Sequence, residues 1–250
     1  MRLYGLIGKS LAHSFSVSFF SSKFSKDNIP AQYKNFELTD IAGLKPLIET
    51  ETTLYGLNVT IPYKEVVLKT VDETDETALA IGAANCLNII RNGTNFSVKA
   101  FNTDAPAFKE TLLPLLKPHH RHVLILGTGG ASRAVHYALK QIPQIRKIAF
   151  TSRNPSGEIL SYHDLKDEAL FNSFQIIINT TPLGMFPDKN SCPDIPYRFL
   201  KRTTLLYDLI YNPQQTLFLR KGKAAAGCRT QNGLKMLIKQ AELSWEIWSR

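Results

Sequence analysis

Lys64 stands just past Pro62, at the end of the strand-like run Leu57-Asn58-Val59-Thr60-Ile61, and the pattern predicts a helix over 64–70. A helix's first turn disfavours added positive charge, so an amine there is placed to exchange a proton. Along the strand, side chains alternate between faces. Asn58 and Thr60 therefore share one face, and Leu57, Val59 and Ile61 the other. An amide beside a hydroxyl at a strand's carboxyl end is suited to binding a polyol. Upstream, His13-Ser14-Phe15-Ser16 sets two hydroxyls two residues apart just before a helix. Such a place can hold a carboxylate, although serines there also serve as plain helix caps. Asn102-Thr103-Asp104 follows a hairpin and brings a carboxylate to a domain junction.

A second chemistry is written in Val123-Leu124-Ile125-Leu126-Gly127-Thr128-Gly129-Gly130-Ala131-Ser132-Arg133. A buried strand runs into glycines and then a helix, so backbone N–H groups can approach a pyrophosphate at the helix's positive end. Ser132 takes the place of the third glycine of the usual GxGxxG pattern. A site for NAD wants Asp or Glu about 20 residues further on, to meet the ribose hydroxyls. This chain has Thr151-Ser152-Arg153-Asn154 there. Arg153 can make forked contacts to a 2′-phosphate, with Ser152 and Asn154 donating beside it. The expectation is NADP, not NAD.

The elements that carry these residues alternate. Strands are expected at 3–8, 32–38 and 55–61, with helices at 17–24 and 41–49 between them. A hairpin at 86–91 and 96–101 turns on Asn92-Gly93, which tolerates positive φ. This predicts a mainly parallel sheet with an antiparallel edge. After a helix over 107–116, strands at 122–127, 147–153, 174–181 and 203–211 surround a helix at 130–142, the fully buried parallel type. A last helix covers about 234–248. The fold class expected is α/β in two domains, 1–104 and 105–229, with the final helix, about 230–250, packing back on the first.

Composition narrows the classes. The 250 residues are 44% hydrophobic and 10% aromatic, too apolar for a disordered chain. No apolar run reaches the length of a bilayer span and no leader pattern opens the chain, so a soluble cytoplasmic protein is expected. Cys86, Cys192 and Cys228 are odd in number and far apart, against a disulfide framework or a thiolate zinc site. Thirty Lys and Arg against 21 Asp and Glu give +9, but the cations are dispersed. Small anions are thus favoured over nucleic acid or a membrane surface as partners. His119, His120 and His122 lack a carboxylate or thiol at ligand spacing; a solvated linker is expected and no metal. Asn58-Val59-Thr60 and Asn95-Phe96-Ser97 match the glycosylation pattern, a coincidence in an unexported chain.

Taken together, the runs LIGKSLAHSFS, NVTIPYK, GAANC, FNTDA, GTGGASR, TSR, NTTPLGM, YDLIYNP and QNGLKML resemble the shikimate dehydrogenases over nearly the whole chain. These are NADP-dependent oxidoreductases of aromatic amino-acid biosynthesis. The resemblance implies a first domain that binds shikimate, a Rossmann-like second domain that binds NADP, and chemistry in the cleft between them. It puts the catalytic pair on Lys64 and Asp104. Substrate contacts fall on Ser14, Ser16, Asn58, Thr60, Asn85, Tyr211 and Gln240. Cofactor contacts fall on Gly127, Thr128, Gly129, Gly130, Ala131, Ser152, Arg153, Asn154, Thr180 and Gly233. The reaction implied is reversible reduction of 3-dehydroshikimate to shikimate, by a monomer or homodimer. The chain departs from the family at Val17 (proline expected), at Ala105 (glycine expected) and around Arg153, where the family has Asn-Arg-Thr. A quinate/shikimate enzyme that uses NAD, a non-catalytic NADP-binding sensor and a basic nucleic-acid binder are the competing readings.

Overall fold

The computed structural model describes every residue except 12, 13 and 94; the histidine of the His13-Ser14-Phe15-Ser16 run is thus outside the described residues. The chain divides into two compact units, Met1–Asp104 with Ile238–Arg250, and Ala105–Leu237.

The first unit contains β1 (Arg2–Gly8), α1 (Phe15–Lys26), β2 (Ala31–Glu37), α2 (Leu44–Thr50), β3 (Leu54–Val59), β4 (Glu73–Thr74), α3 (Glu76–Ile81), β5 (Cys86–Asn92) and β6 (Asn95–Phe101). Their sheet order is β2-β1-β3-β5-β6-β4. β1 is parallel to both β2 and β3, and β4 is parallel to β6. β5 runs against its neighbours β3 and β6. The reversed strand therefore lies inside the sheet, not at the edge where the sequence placed it. The hairpin forms as expected, but Asn92 pairs with Asn95 and belongs to the strand. Gly93, at φ +62°, begins the turn.

Alternation along the strands feeds two cores. Leu3, Ile7, Leu57, Val59, Leu87 and Ile89 pack on one side of the sheet. Tyr4, Leu6, Phe20, Phe24, Tyr33 and Trp248 pack in the other. Three expectations fail around the end of β3. Residues 64–70 form no α-helix: a turn leads into a four-residue 3-10 helix, Val66–Lys69. The β-branched pair Val66-Val67 resists an α-helix, and only Tyr63 and Val67 are buried there. The helix end invoked for Lys64 is accordingly absent. β3 also stops at Val59, so Ile61 has left the sheet and is 76% exposed.

The second unit contains most of α4 (Asp104–Leu112), then β7 (His122–Leu126), α5 (Gly130–Lys140), β8 (Lys147–Ser152), β9 (Leu160–Ser161), α6 (Glu168–Asn172), β10 (Ile176–Asn179), β11 (Leu205–Asp208), α7 (Leu217–Ala226), β12 (Arg229–Gln231) and the start of α8 (Leu234–Trp248). Its sheet order is β12-β11-β10-β7-β8-β9, and every pairing is parallel. Counted from β7, that is the 3-2-1-4-5-6 arrangement of a dinucleotide-binding sheet. Ahead of β7 the connector does not match its expected solvation. His120 is buried, its Nδ1 accepting from the Lys117 N–H and its Nε2 meeting the Thr203 carbonyl. The ring staples the chain ahead of the strand. The described residues contain no group of three His, Cys, Asp or Glu suited to a metal ion.

Candidate active site

In the first unit, Lys64 and Asp104 meet. Lys64 Nζ donates to Asp104 Oδ2 at 2.8 Å, with the two side chains 25% and 12% exposed. The lysine backbone is tied down as well, its carbonyl accepting from the Ala84 N–H at 2.7 Å. One residue on, Asn85 bonds to strands on either side. Its N–H donates to the Phe101 carbonyl and its own carbonyl accepts from the Val59 N–H. Asn85 Nδ2 faces Thr103 Oγ1, Asp104 Oδ1 and Gln240 Oε1 at 2.9, 3.0 and 3.2 Å, and Asn85 Oδ1 accepts from the Thr103 N–H. Thus one amide positions the carboxylate that holds the amine.

Asn58 lies opposite Leu57 and Val59, as strand alternation predicts. It is buried and joins the same network through Ser244 and the Asn85 carbonyl. The helix behind this cluster is α8. Gln240, Ser244 and Trp248 recur every four residues and so share one face. Trp248 Nε1 donates to the Leu87 carbonyl, and the ring packs where a Cβ on Gly56 would stand 2.3 Å from that nitrogen. Gly56 thereby lets the helix lie close enough for Ser244 and Gln240 to reach the strands.

Other expected residues stand further out. Ser14 caps α1 by accepting from the Ser16 N–H at 3.2 Å, and Ser16 is buried in the first turn. Thr60, half-buried, follows the strand and donates its N–H to the Ile7 carbonyl. Neither Ser14 nor Thr60 joins the amide network. Tyr211 lies in the second unit, where burial raises its phenol above the usual range. Sequence reasoning did not single out Tyr33 and Ser244. Both belong to the network, and the four-residue spacing before Trp248 was the one available signal for Ser244.

In the second unit the glycine loop follows β7, next to the point where strand order reverses between β7 and β10. Ligands of such sheets bind at that point. Gly127 has φ +104°, and a Cβ there would meet Thr180 Oγ1 and Thr181 Cγ2 at 3.0 Å. Thr180 Oγ1 donates to the Leu126 carbonyl at 2.7 Å, joining the ends of β10 and β7. Gly129 precedes α5 without a side-chain cap, and nothing lies within 4 Å of where its Cβ would be. The first N–H groups of that helix have no intrahelical partner. An open, uncapped start of this kind has the free N–H groups that a pyrophosphate needs. Ser132 fits the third glycine position by burying its side chain and donating back to the Gly129 carbonyl. Arg153 and Asn154 are exposed just past β8, and Ser152 Oγ shapes the bend by accepting from the Asn154 N–H. Arg153 forms no ion pair with a carboxylate among the described residues. Gly233 lies buried before α8, its N–H donating to the Ile210 carbonyl.

The ends of β10 and β11 are joined by a buried cluster that sequence reasoning missed. Asp208 accepts from Asn179 Nδ2, the Ile210 N–H and Thr216 Oγ1. Burial pushes its carboxyl up to about 6, opposed by those three bonds.

A family model described as the shikimate dehydrogenase substrate binding domain matches residues 6–87. The shikimate dehydrogenase (NADP(+)) of Methanococcus vannielii is 35% identical over 266 residues, covering 99% of this chain and 91% of its own. The chain belongs to the shikimate dehydrogenase family. Solved structures of shikimate dehydrogenases agree. That of Peptoclostridium difficile shikimate dehydrogenase 1 is 35% identical with a TM-score of 0.83, over 100% of this chain and 92% of that one. The shikimate 5-dehydrogenase of Thermus thermophilus, solved with NADP(H) and shikimate, is 28% identical with a TM-score of 0.85, over 100% and 94%. No helix among the described residues is long and apolar enough to cross a membrane.

Proposed function

We propose that this chain catalyses the reversible NADPH-dependent reduction of 3-dehydroshikimate to shikimate, a step of aromatic amino-acid biosynthesis, with Lys64 as acid and base and Asp104 as its partner. The observation that carries this reading is the 2.8 Å bond between Lys64 and Asp104 in a polar network of Asn58, Asn85 and Gln240. Bound NADPH supplies hydride to the ring ketone. As the ketone oxygen gains negative charge, Lys64 gives it a proton, and in the oxidative direction Lys64 takes that proton back. Lys64 has three N–H bonds and uses one on Asp104, so two remain to orient and protonate the substrate oxygen. Each Asp104 oxygen accepts one protein bond and keeps capacity for a substrate hydroxyl. Ser14 and Ser16, at the N-terminus of α1, receive the substrate carboxylate, and Thr60, Tyr211 and Gln240 complete the substrate contacts.

In the second unit, Gly127, Thr128, Gly129, Gly130 and Ala131 hold the pyrophosphate, and Thr180 and Gly233 line the rest of the cofactor site. Ser152, Arg153 and Asn154 hold the 2′-phosphate. No carboxylate occurs among residues 150–154 to take its place with NAD. The test is to mix purified protein with shikimate and NADP, then with NAD, and follow the absorbance of the reduced nicotinamide. Formation of NADPH with shikimate, and far slower formation of NADH, supports the proposal. No reduction of either cofactor would overturn it.

A further inference from the structure

The amide of Asn58 has a hydrogen-bond direction dictated by its neighbours. Ser244 Oγ donates to the Gln240 carbonyl at 2.9 Å. A carbonyl cannot return a proton, so toward Asn58 the serine oxygen only accepts, from Nδ2 at 2.9 Å. Asn58 Nδ2 donates also to the Asn85 carbonyl at 3.2 Å. Both amide hydrogens are thereby used inside the protein. On the other side, Asn58 Oδ1 accepts from Tyr33 Oη at 2.8 Å. One hydrogen-bonding position is left, the second lone pair of Oδ1. Asn58 can meet a ligand only as an acceptor.

Tyr33 is built to keep that arrangement. It is 5% exposed and its ring stacks on Phe20, centroids 4.5 Å apart and planes 11° from parallel. Burial holds the phenol well above its usual range, so the Oη proton is always present for donation. The Ser16 hydroxyl approaches the same phenol, which links the first turn of α1 to the end of β3.

We propose that Tyr33 is a positioning residue for the substrate: through Asn58 it fixes a hydrogen-bond acceptor to which a ring hydroxyl of the hydroxy-acid must donate. This rests on the reading of the first unit as the shikimate-binding one. It also sets a specificity rule. A substrate whose corresponding hydroxyl is removed loses nothing further when Tyr33 is altered, because the acceptor then has no donor to meet.

The experiment is steady-state kinetics of wild type and Tyr33→Phe with shikimate, 4-deoxyshikimate and 5-deoxyshikimate, at saturating NADP. Phe keeps the stacked ring and deletes only the donor. A neutral hydrogen bond predicts a rise of about 3–10-fold in the KM for shikimate, with kcat and the KM for NADP within about twofold. With one of the two deoxy analogues the wild-type and variant KM values should coincide. Ser244→Ala, which removes the partner fixing the amide's other end, is the second arm and should show the same dependence on that hydroxyl. An unchanged KM for shikimate in both variants, or a rise shared equally by all three substrates, overturns the inference. Wild-type protein that leaves shikimate unoxidised removes both readings. An active wild type with indifferent variants removes this one alone.

Discussion

Lys64 Nζ and Asp104 Oδ2 lie 2.8 Å apart although 40 positions separate them in the chain. The turn after β3 carries one, and the first residue of α4 carries the other. The neighbours Ala84 and Asn85 hold the two sides together: the Ala84 N–H bonds to the Lys64 carbonyl, and the Asn85 side chain bonds to Asp104 while its main chain joins β3 and β6. Partial burial strengthens the attraction beyond that of a solvated pair. Loss of either partner leaves the other charge poorly compensated. This is the reason a single substitution here is expected to be read in turnover.

On the proposed reading, Arg153 is the residue that chooses the cofactor. Arg153→Ala removes a charge-assisted contact to a phosphate, a loss of about 1.5–3 kcal/mol or roughly 10–100-fold in Kd for NADPH. The Kd for NADH should move less than about twofold. Fluorescence titration of the two reduced cofactors measures both. A variant that binds both cofactors as wild type does would take Arg153 out of the site.

Asp208 makes the second unit sensitive to pH. Its folded-state carboxyl titrates near 6, above the unfolded value of 3.8, so the folded state holds its proton more tightly. The associated stability is fully present below about pH 3.8 and is lost as pH rises through about 6. Asp208→Asn cannot titrate. Relative to wild type it should gain on the order of 2–3 kcal/mol between pH 4 and pH 8. Urea unfolding of the two proteins at a series of pH values gives the difference, and parallel curves would contradict it.

Gly233 is required by space, not by backbone angle. A Cβ there would lie 1.9 Å from the Leu209 carbonyl oxygen and 2.5 Å from its carbon, so main chain must yield. Gly233→Ala should cost at least about 1–3 kcal/mol and lower Tm by about 3–10 °C. Thermal unfolding checks it, and an unchanged Tm would mean that the segment before α8 relaxes freely.

Much of this was legible in the chain because the decisive signals are local. The buried strand, the glycine turn and the helix in 123–142 are all carried by one short window, and α8 spans the residues its periodicity gives. Alternation at Asn58 was correct for the same reason. The failures came where tertiary contacts override local pattern. Tyr63 is buried and donates to the Leu38 carbonyl, which holds the turn that replaces the expected helix at Lys64. β5 lies inside because it pairs with β3 as well as with its hairpin partner β6, and the β3 pairing joins segments about 30 residues apart that no local pattern announces. The bonds of Tyr33 and Ser244 to Asn58 span 25 and 186 residues, a relation no spacing rule reaches. His120 looked solvated beside basic neighbours, yet the Lys117 N–H and the Thr203 carbonyl claim its ring.

The central claim is that the Lys64 amine moves the proton. A positioned acid–base group supplies about 10²–10⁴-fold in rate, so the decisive measurement is kcat for shikimate oxidation by Lys64→Ala at saturating NADP, alongside its Kd for NADPH. The account predicts a kcat at least about a hundredfold below wild type with the Kd nearly unchanged. Turnover at the wild-type rate in that variant would contradict it.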